Sequence, residues 1–249
     1  MFYILIHNST SPTINNTKIT IYKYIMTEHQ KEKFEIFYRE IIKANEYINL
    51  TSIIEKNEVE IKHFKDSLSA EKIIKSICNK KSEIVKVIDI GTGAGFPSIP
   101  LAIMLDNVNF TLVETVGKKV NFLLDIKNKI ELENIEIKKI RIEDLEKTIK
   151  YDVAVSRAVA LMPTLLEYCL PFVKMDGFLI TYKGSNYLEE LESSKNALEV
   201  LGGKVTEIKK YNLELNNEVL ERNLIIIKKI KETSIKYPRG GNKPRVKPL

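Results

Sequence analysis

The chain of 249 residues has no tryptophan, only two cysteines and only three histidines. Cys78 and Cys169 are too few for a disulfide framework, and neither stands at a metal-ligand spacing from a histidine. Both lie in apolar surroundings and read as buried free thiols, which fits a reducing compartment. His7, His29 and His63 are scattered, so no metal site is visible. No run approaches the ~20 apolar residues needed to span a bilayer. The segment Phe2 to Ile6 is too short for a signal-peptide core and lacks a basic lead-in, so a cytoplasmic protein is expected. What is present is a hydrophobic content of 44%, enough for a sizeable core and too much for global disorder. The net charge of +6 is uneven. Residues 231–249 carry Lys231, Lys236, Arg239, Lys243, Arg245 and Lys247 against Glu232, a net of +5, and the preceding body is close to neutral. A basic tail on a neutral body implies an anionic partner, RNA before membrane. A monomer is favoured over any particular oligomer.

Four zones follow along the chain: an irregular extension at 1–27, a helical region at 28–84, an alternating core at 85–230 and the basic tail at 231–249. Residues 1–25 show no helical period and precede Met26; a disordered extension or an upstream start choice is expected. Phe34, Phe37, Tyr38, Ile41, Ile42, Asn45 and Ile48 recur at three- and four-residue steps, one face of a helix. A second helix is predicted over 69–79, with Ser69 as N-cap. From residue 85, strands at 85–90, 110–114, 135–140, 152–156 and 178–182 alternate with helices at 97–105, 118–131, 163–170 and 188–201. Val120, Leu123, Leu124 and Ile130 are expected inward on the second of these helices. Residues 205–213 and 223–230 read as an antiparallel closing pair. This is the pattern of an α/β fold, a doubly wound and mostly parallel sheet with an antiparallel closing strand and added N-terminal helices. Pro238, Gly240, Gly241, Pro244 and Pro248 exclude a regular element from the tail, which reads as an arm that orders on RNA.

The stretch from Asp89 to Phe96, reading Asp-Ile-Gly-Thr-Gly-Ala-Gly-Phe, carries most of the functional information. A strand delivers the chain to Gly91, Gly93 and Gly95, and a helix follows. Glycine serves where the backbone turns sharply or a ligand must approach without meeting a Cβ. A dinucleotide loop needs glycine where Phe96 stands, which argues against NAD. Three alternate glycines after an acid resemble instead the first motif of class I S-adenosylmethionine methyltransferases, a Rossmann-like fold. A carboxylate such as Asp89 suits a ligand carrying an ammonium and a sulfonium. Glu114, ending the next strand, can accept hydrogen bonds from ribose hydroxyls. The plainer alternative is a tight turn that binds nothing. A branched side chain at Gly93 is expected to abolish binding and leave the fold largely intact.

Further motifs narrow the resemblance. Asn49-Leu50-Thr51-Ser52-Ile53, His63-Phe64-Lys65-Asp66-Ser67, the loop continued into Pro97, Ser156-Arg157-Ala158-Val159, Glu221-Arg222-Asn223 and Lys236-Tyr237-Pro238-Arg239 together resemble the RsmG (GidB) family of 16S ribosomal RNA guanine-N7 methyltransferases, from about Gln30 to the C-terminus. The chain departs from the family pattern in having no tryptophan near Asn45, Ser98 for a frequent glycine, and Glu114 for a common aspartate. The resemblance implies S-adenosyl-L-methionine as cofactor, with contacts at Gly91, Phe96, Ile142, Glu143 and Arg157. It implies 16S ribosomal RNA, or the small ribosomal subunit, as partner. Phe96 reads equally as a core residue, and Glu143 as a solvated helix-start acid. Arg157 ends an apolar strand at the ligand edge of the sheet, where a surface charge is hard to explain.

Guanine N7 attacks through an in-plane lone pair and loses no proton, so no catalytic base is expected and Arg157 is the candidate for positioning. Lys183, Arg222, Arg239 and the tail lysines are candidate RNA contacts, although each alone reads as a solvated charge. Two alternatives stay open: a methyltransferase of another RNA or a small molecule, and an RNA-binding assembly factor with a vestigial fold.

Overall fold

The computed structural model describes the backbone of residues 16–19 and the whole of 26–249. The expectation for the remainder of the first 25 residues lies outside the described residues. The backbone of Asn16–Ile19 (β1) is a strand, so the extension read as irregular contributes one edge of the sheet. Helix α1 (Glu28–Asn45) opens with a capping box in which Thr27 and Gln30 satisfy each other's backbone amides. A continuous helical run follows: α2 (Lys56–Glu58), a π-helical turn (Val59–Lys65) and α3 (Asp66–Leu68). Ser69 is absorbed into the end of that run, where its hydroxyl donates to the Asp66 carbonyl, and Ala70 precedes α4 (Glu71–Cys78). Ser69 therefore does not cap the second helix.

The alternating zone supplies β2 (Val85–Ile90), α5 (Ser98–Met104), β3 (Val108–Glu114), α6 (Gly117–Lys129), β4 (Ile135–Lys139), β5 (Tyr151–Arg157), α7 (Met162–Cys169), β6 (Val173–Lys183), α8 (Tyr187–Glu192), α9 (Lys195–Leu201), β7 (Gly203–Leu215) and β8 (Glu218–Lys229). They form one sheet in the order β1-β7-β8-β6-β5-β2-β3-β4. Strands β2 to β6 run parallel, and β8 pairs antiparallel with both β6 and β7. The order reverses between β2 and β5, and ligands in such sheets bind beyond the strand ends at that point. Both faces are covered. Phe34 and Phe37 of α1 pack with Phe64, Phe96 and Phe122 on the α5–α6 side, and α7 and α9 cover the other.

Some local expectations change. On α6 Ile126, not Leu124, takes the buried position; Leu124 is exposed because the buried stripe runs 120, 123, 126 and 130. Cys169 is buried, and Cys78 is only partly so. The helix expected over 188–201 breaks at Ser193 and Ser194, whose hydroxyls both bond back to the Glu190 carbonyl and compete with the helical ladder. It ends as expected at Gly202, with φ +76°.

The largest change is the tail. It forms a short helix, α10 (Lys243–Val246), with Pro244 in its first turn, and packs onto α7. Tyr237, Pro238 and Pro244 are buried. Thr164 donates to the Pro244 carbonyl at 2.8 Å, and Lys147 to the Ile235 and Pro238 carbonyls. The tail's backbone groups find partners on the body, which composition alone does not reveal.

Candidate functional site

The three loop glycines all have positive φ, between +62° and +95°. Their surroundings differ. A Cβ on Gly95 would collide with Ile99 and crowd Leu123, so glycine there lets α5 and α6 close on the loop; a Cβ on Gly91 would press on Val159 at 2.8 Å. A Cβ on Gly93 would meet nothing within 4 Å. The amides of Gly91 and Thr92 both donate to the Val113 carbonyl, which ties the loop to β3.

Asp89 does not enter the cleft. Alternation along β2 turns it to the face of Val85 and Val87, under α5, and it is wholly buried. Thr92 Oγ1 donates to its Oδ2 at 2.7 Å, and Oδ1 makes no hydrogen bond among the described residues. Burial pushes this carboxyl up to about 7, against the opposing pull of the Thr92 and Ser98 polar groups and of Arg157. It supports the loop from below. Glu114 does reach the cleft. Its Oε2 accepts from the Gly93 amide at 3.1 Å, and its Oε1 from the amides of Thr115 and Val116.

Across from the loop, Arg157 at the end of β5 is held on several sides. Its Nη1 donates to Asp66 Oδ2 at 2.7 Å and to the Lys62 carbonyl at 3.3 Å, and its guanidinium lies 5.0 Å from the Phe96 ring centroid. Asp66 Oδ1 accepts from the Tyr211 hydroxyl at 2.8 Å, with Arg222 Nε 3.7 Å away. His63 stacks on Phe96 at 4.5 Å, with Nδ1 3.3 Å from Arg157 Nη2 and Nε2 2.8 Å from Thr51 Oγ1. Since arginine only donates, Nδ1 is the acceptor and Nε2 carries the proton. Burial, then the Arg157 charge, lowers this imidazole to about 4, so it is neutral near pH 7.

These groups enclose a cleft of about 860 Å³ beyond the ends of β2, β3, β5 and β6. Gly91, Gly93, Phe96, Glu114, Arg157, Lys183 and Arg222 line it. The other predicted residues do not. Ile142 is buried among Leu145, Tyr151 and Leu166 on the opposite core face. Glu143 sits near Tyr168, whose phenol it helps to raise after burial, and which Arg245 of the tail contacts. Arg239 lies away from the cleft, in a paired ion bridge to the fully buried Glu167, at 2.8 and 2.6 Å. That carboxylate consumes the charge expected for RNA. Thr51, His63 and Asp66 are cleft residues to which the sequence motifs assigned no role; the 63–66 spacing on one helical face was the available signal. Glu190 also lines the cleft, and nothing local in the sequence marked it.

Residues 30–229 match the GidB family, rRNA small subunit methyltransferase G. The chain belongs to this family. A ribosomal RNA small subunit methyltransferase G from Lactobacillus helveticus is 41% identical over 236 residues, covering 93% of this chain and 96% of the relative. Among solved structures, a putative RNA methyltransferase from Pyrococcus horikoshii superposes with a TM-score of 0.53 at 14% identity, covering 78% of this chain and 99% of that one. A SAM-dependent methyltransferase from Agrobacterium tumefaciens gives 0.52 at 15% identity, over 68% and 63%. These two likenesses establish the class I methyltransferase fold. The matched span takes in the cleft lining from Thr51 to Arg222, and the tail lies beyond it.

Proposed function

We propose that this protein transfers the methyl group of S-adenosylmethionine to N7 of a guanine in the 16S RNA of the small ribosomal subunit. The observation that carries the reading is a glycine loop whose middle glycine opens onto the cleft, facing Glu114 on one side and an anchored arginine on the other. The residues present fit the cofactor. A volume of about 860 Å³ accommodates it beside a base, Gly93 leaves its backbone unobstructed, and Glu114 keeps acceptor capacity for ribose hydroxyls. Gly91, Gly93, Phe96 and Glu114 would hold it. When bound, the cofactor supplies an electrophilic methyl on a sulfonium.

The chain's own part is to position. N7 presents a lone pair in the ring plane, so no proton need be removed. His63 fits that economy, since both of its ring nitrogens are engaged. Arg157, fixed by Asp66 and the π-helical turn, braces the wall opposite the loop. Alignment at attack distance can be worth up to about 7–11 kcal/mol. Lys62, Lys119 and Arg222 surround the cleft with positive charge suited to phosphates, whereas the charge of Lys183 is paired with Glu190. Among the described residues no helix is long and apolar enough to cross a membrane, and the free thiols suit the reducing cytoplasm, where the substrate is found.

The test is to map N7-methylguanosine in small-subunit RNA from cells with and without the protein, and to repeat methyl transfer with purified components. One modified guanine is expected to depend on the protein. Binding of S-adenosylmethionine with no guanine modified would overturn the substrate; binding of NAD in its place would overturn the cofactor.

A further inference from the structure

Lys183, at the end of β6, and Glu190, in α8, form an ion pair of 2.6 Å inside the cleft, with only 10% and 20% of their side chains exposed. The pair is fixed from both sides. Lys183 Nζ also donates to the Ala160 carbonyl at 3.1 Å, and Glu190 Oε2 also accepts from the Met162 amide at 2.8 Å. Its hydrogen-bonding capacity is not exhausted. An ammonium has three donors, of which two are used among the described residues. Glu190 Oε1 makes no hydrogen bond among the described residues, since both bonds to its carboxylate fall on Oε2. The cleft therefore holds one spare cationic donor beside a carboxylate oxygen, Glu190 Oε1, with both lone pairs free.

We infer that Lys183 and Glu190 read the target base as guanine, Lys183 donating to O6 and Glu190 accepting from N1–H and the 2-amino group. This rests on the reading of the protein as a guanine-N7 methyltransferase. Guanine offers an acceptor followed by two donors along that edge. Adenine and cytosine offer a donor followed by an acceptor, which would set like against like at both positions. Uracil matches two groups but lacks the amino group and N7. A guanine gripped by this edge keeps N7, on the far side of O6, clear of the pair and free to face the glycine loop. The anchors on Ala160 and Met162 preorganise the reader on the segment that follows Arg157.

The experiment uses the full chain and small-subunit RNA in which the mapped guanosine is replaced by inosine through ligation. Inosine keeps O6, N1–H and N7 and loses only the 2-amino group. Wild-type protein is expected to favour guanosine in kcat/KM by on the order of 10-fold. Glu190→Gln keeps a carbonyl for the Met162 amide; S-adenosylmethionine affinity should stay within about twofold, and the guanosine-over-inosine preference should fall toward about 1. A pair that merely pinned α8 to the 160–162 segment would slow both RNAs equally and leave the preference intact, and that result overturns the inference. So does a wild-type enzyme that methylates inosine as fast as guanosine, an outcome independent of how any variant folds. Failure of wild-type protein to methylate any guanine would instead refute the proposed function.

Discussion

His63 is a residue whose chemistry is set by its neighbours. Arg157 occupies one ring nitrogen and Thr51 the other, and burial with the Arg157 charge lowers the imidazole to about 4 from its ordinary 6.5. In the unfolded chain the ring binds a proton below pH 6.5; in the folded chain it does so only below about 4. Stability from this residue is thus fully present above pH 6.5 and drains away as pH falls from there through about 4. The loss is at most roughly 3 kcal/mol, less the screening of the part of the ring that water reaches. Asp89 works in the opposite sense, since burial raises it to about 7. The difference in unfolding free energy between wild type and His63→Gln cancels Asp89 and the surface acids. That difference is expected to shrink on acidification from pH 7 to pH 4, as read by denaturant melts. A difference independent of pH would mean that His63 titrates normally.

At the scale of the element, the loop between β2 and α5 uses its glycines for two purposes. Gly93 opens onto the cleft, whereas Gly95 lets Ile99 and Leu123 close in. Any side chain at either position incurs about 1–2 kcal/mol for the left-handed backbone, so Gly93→Val cannot spare the fold entirely. The separation is better made with alanine. Gly93→Ala should cost about 1 kcal/mol of stability and weaken S-adenosylmethionine binding by about 10-fold or more. Gly95→Ala adds a steric clash in the core and should cost more stability, by roughly 1–3 kcal/mol, than Gly93→Ala does. Calorimetric titration beside thermal melts distinguishes them, and equal behaviour of the two variants would show that Gly93 does not face the ligand.

At the scale of the whole molecule, the tail packs against α7 and part of its charge is spent on the body. Arg239 neutralises Glu167, a wholly buried carboxylate on α7, and the segment around it lays Tyr237, Pro238 and Pro244 against the body. Arg239→Ala would leave that carboxylate buried and unpaired, at a cost on the order of 3 kcal/mol. Deleting 236–249 should do the same and uncover the α7 surface. The expected fall in melting temperature is about 6–12 °C for a chain of this size. A free RNA-binding arm would leave the melting temperature untouched and change only the salt dependence of RNA binding. Lys243, Arg245 and Lys247 remain exposed on the folded tail, so a flatter salt slope after truncation is compatible with both, and the melt is the deciding measurement.

Local periodicity and motif made the architecture legible. The alternation of β-branched runs with helices, the glycine loop and Gly202 all specify backbone shape within a few residues, and backbone shape is what such patterns encode. Gly91, Gly93, Phe96, Glu114 and Arg157 reach the cleft because strand ends at a switch point must converge there. What the sequence left open were meetings between distant side chains. Asp66 finds Arg157 across 91 residues and Tyr211 across 145, and Arg239 finds Glu167 across 72. Charge composition cannot tell a solvated lysine or arginine from one spent on a buried acid, so it cannot distinguish a packed tail from a free arm. Nor could it show that alternation sends Asp89 under α5 while Glu114 turns into the cleft. Periodicity belongs to one element at a time; the side of the sheet on which a charge lies, and the partner it meets there, exist only once the elements have packed.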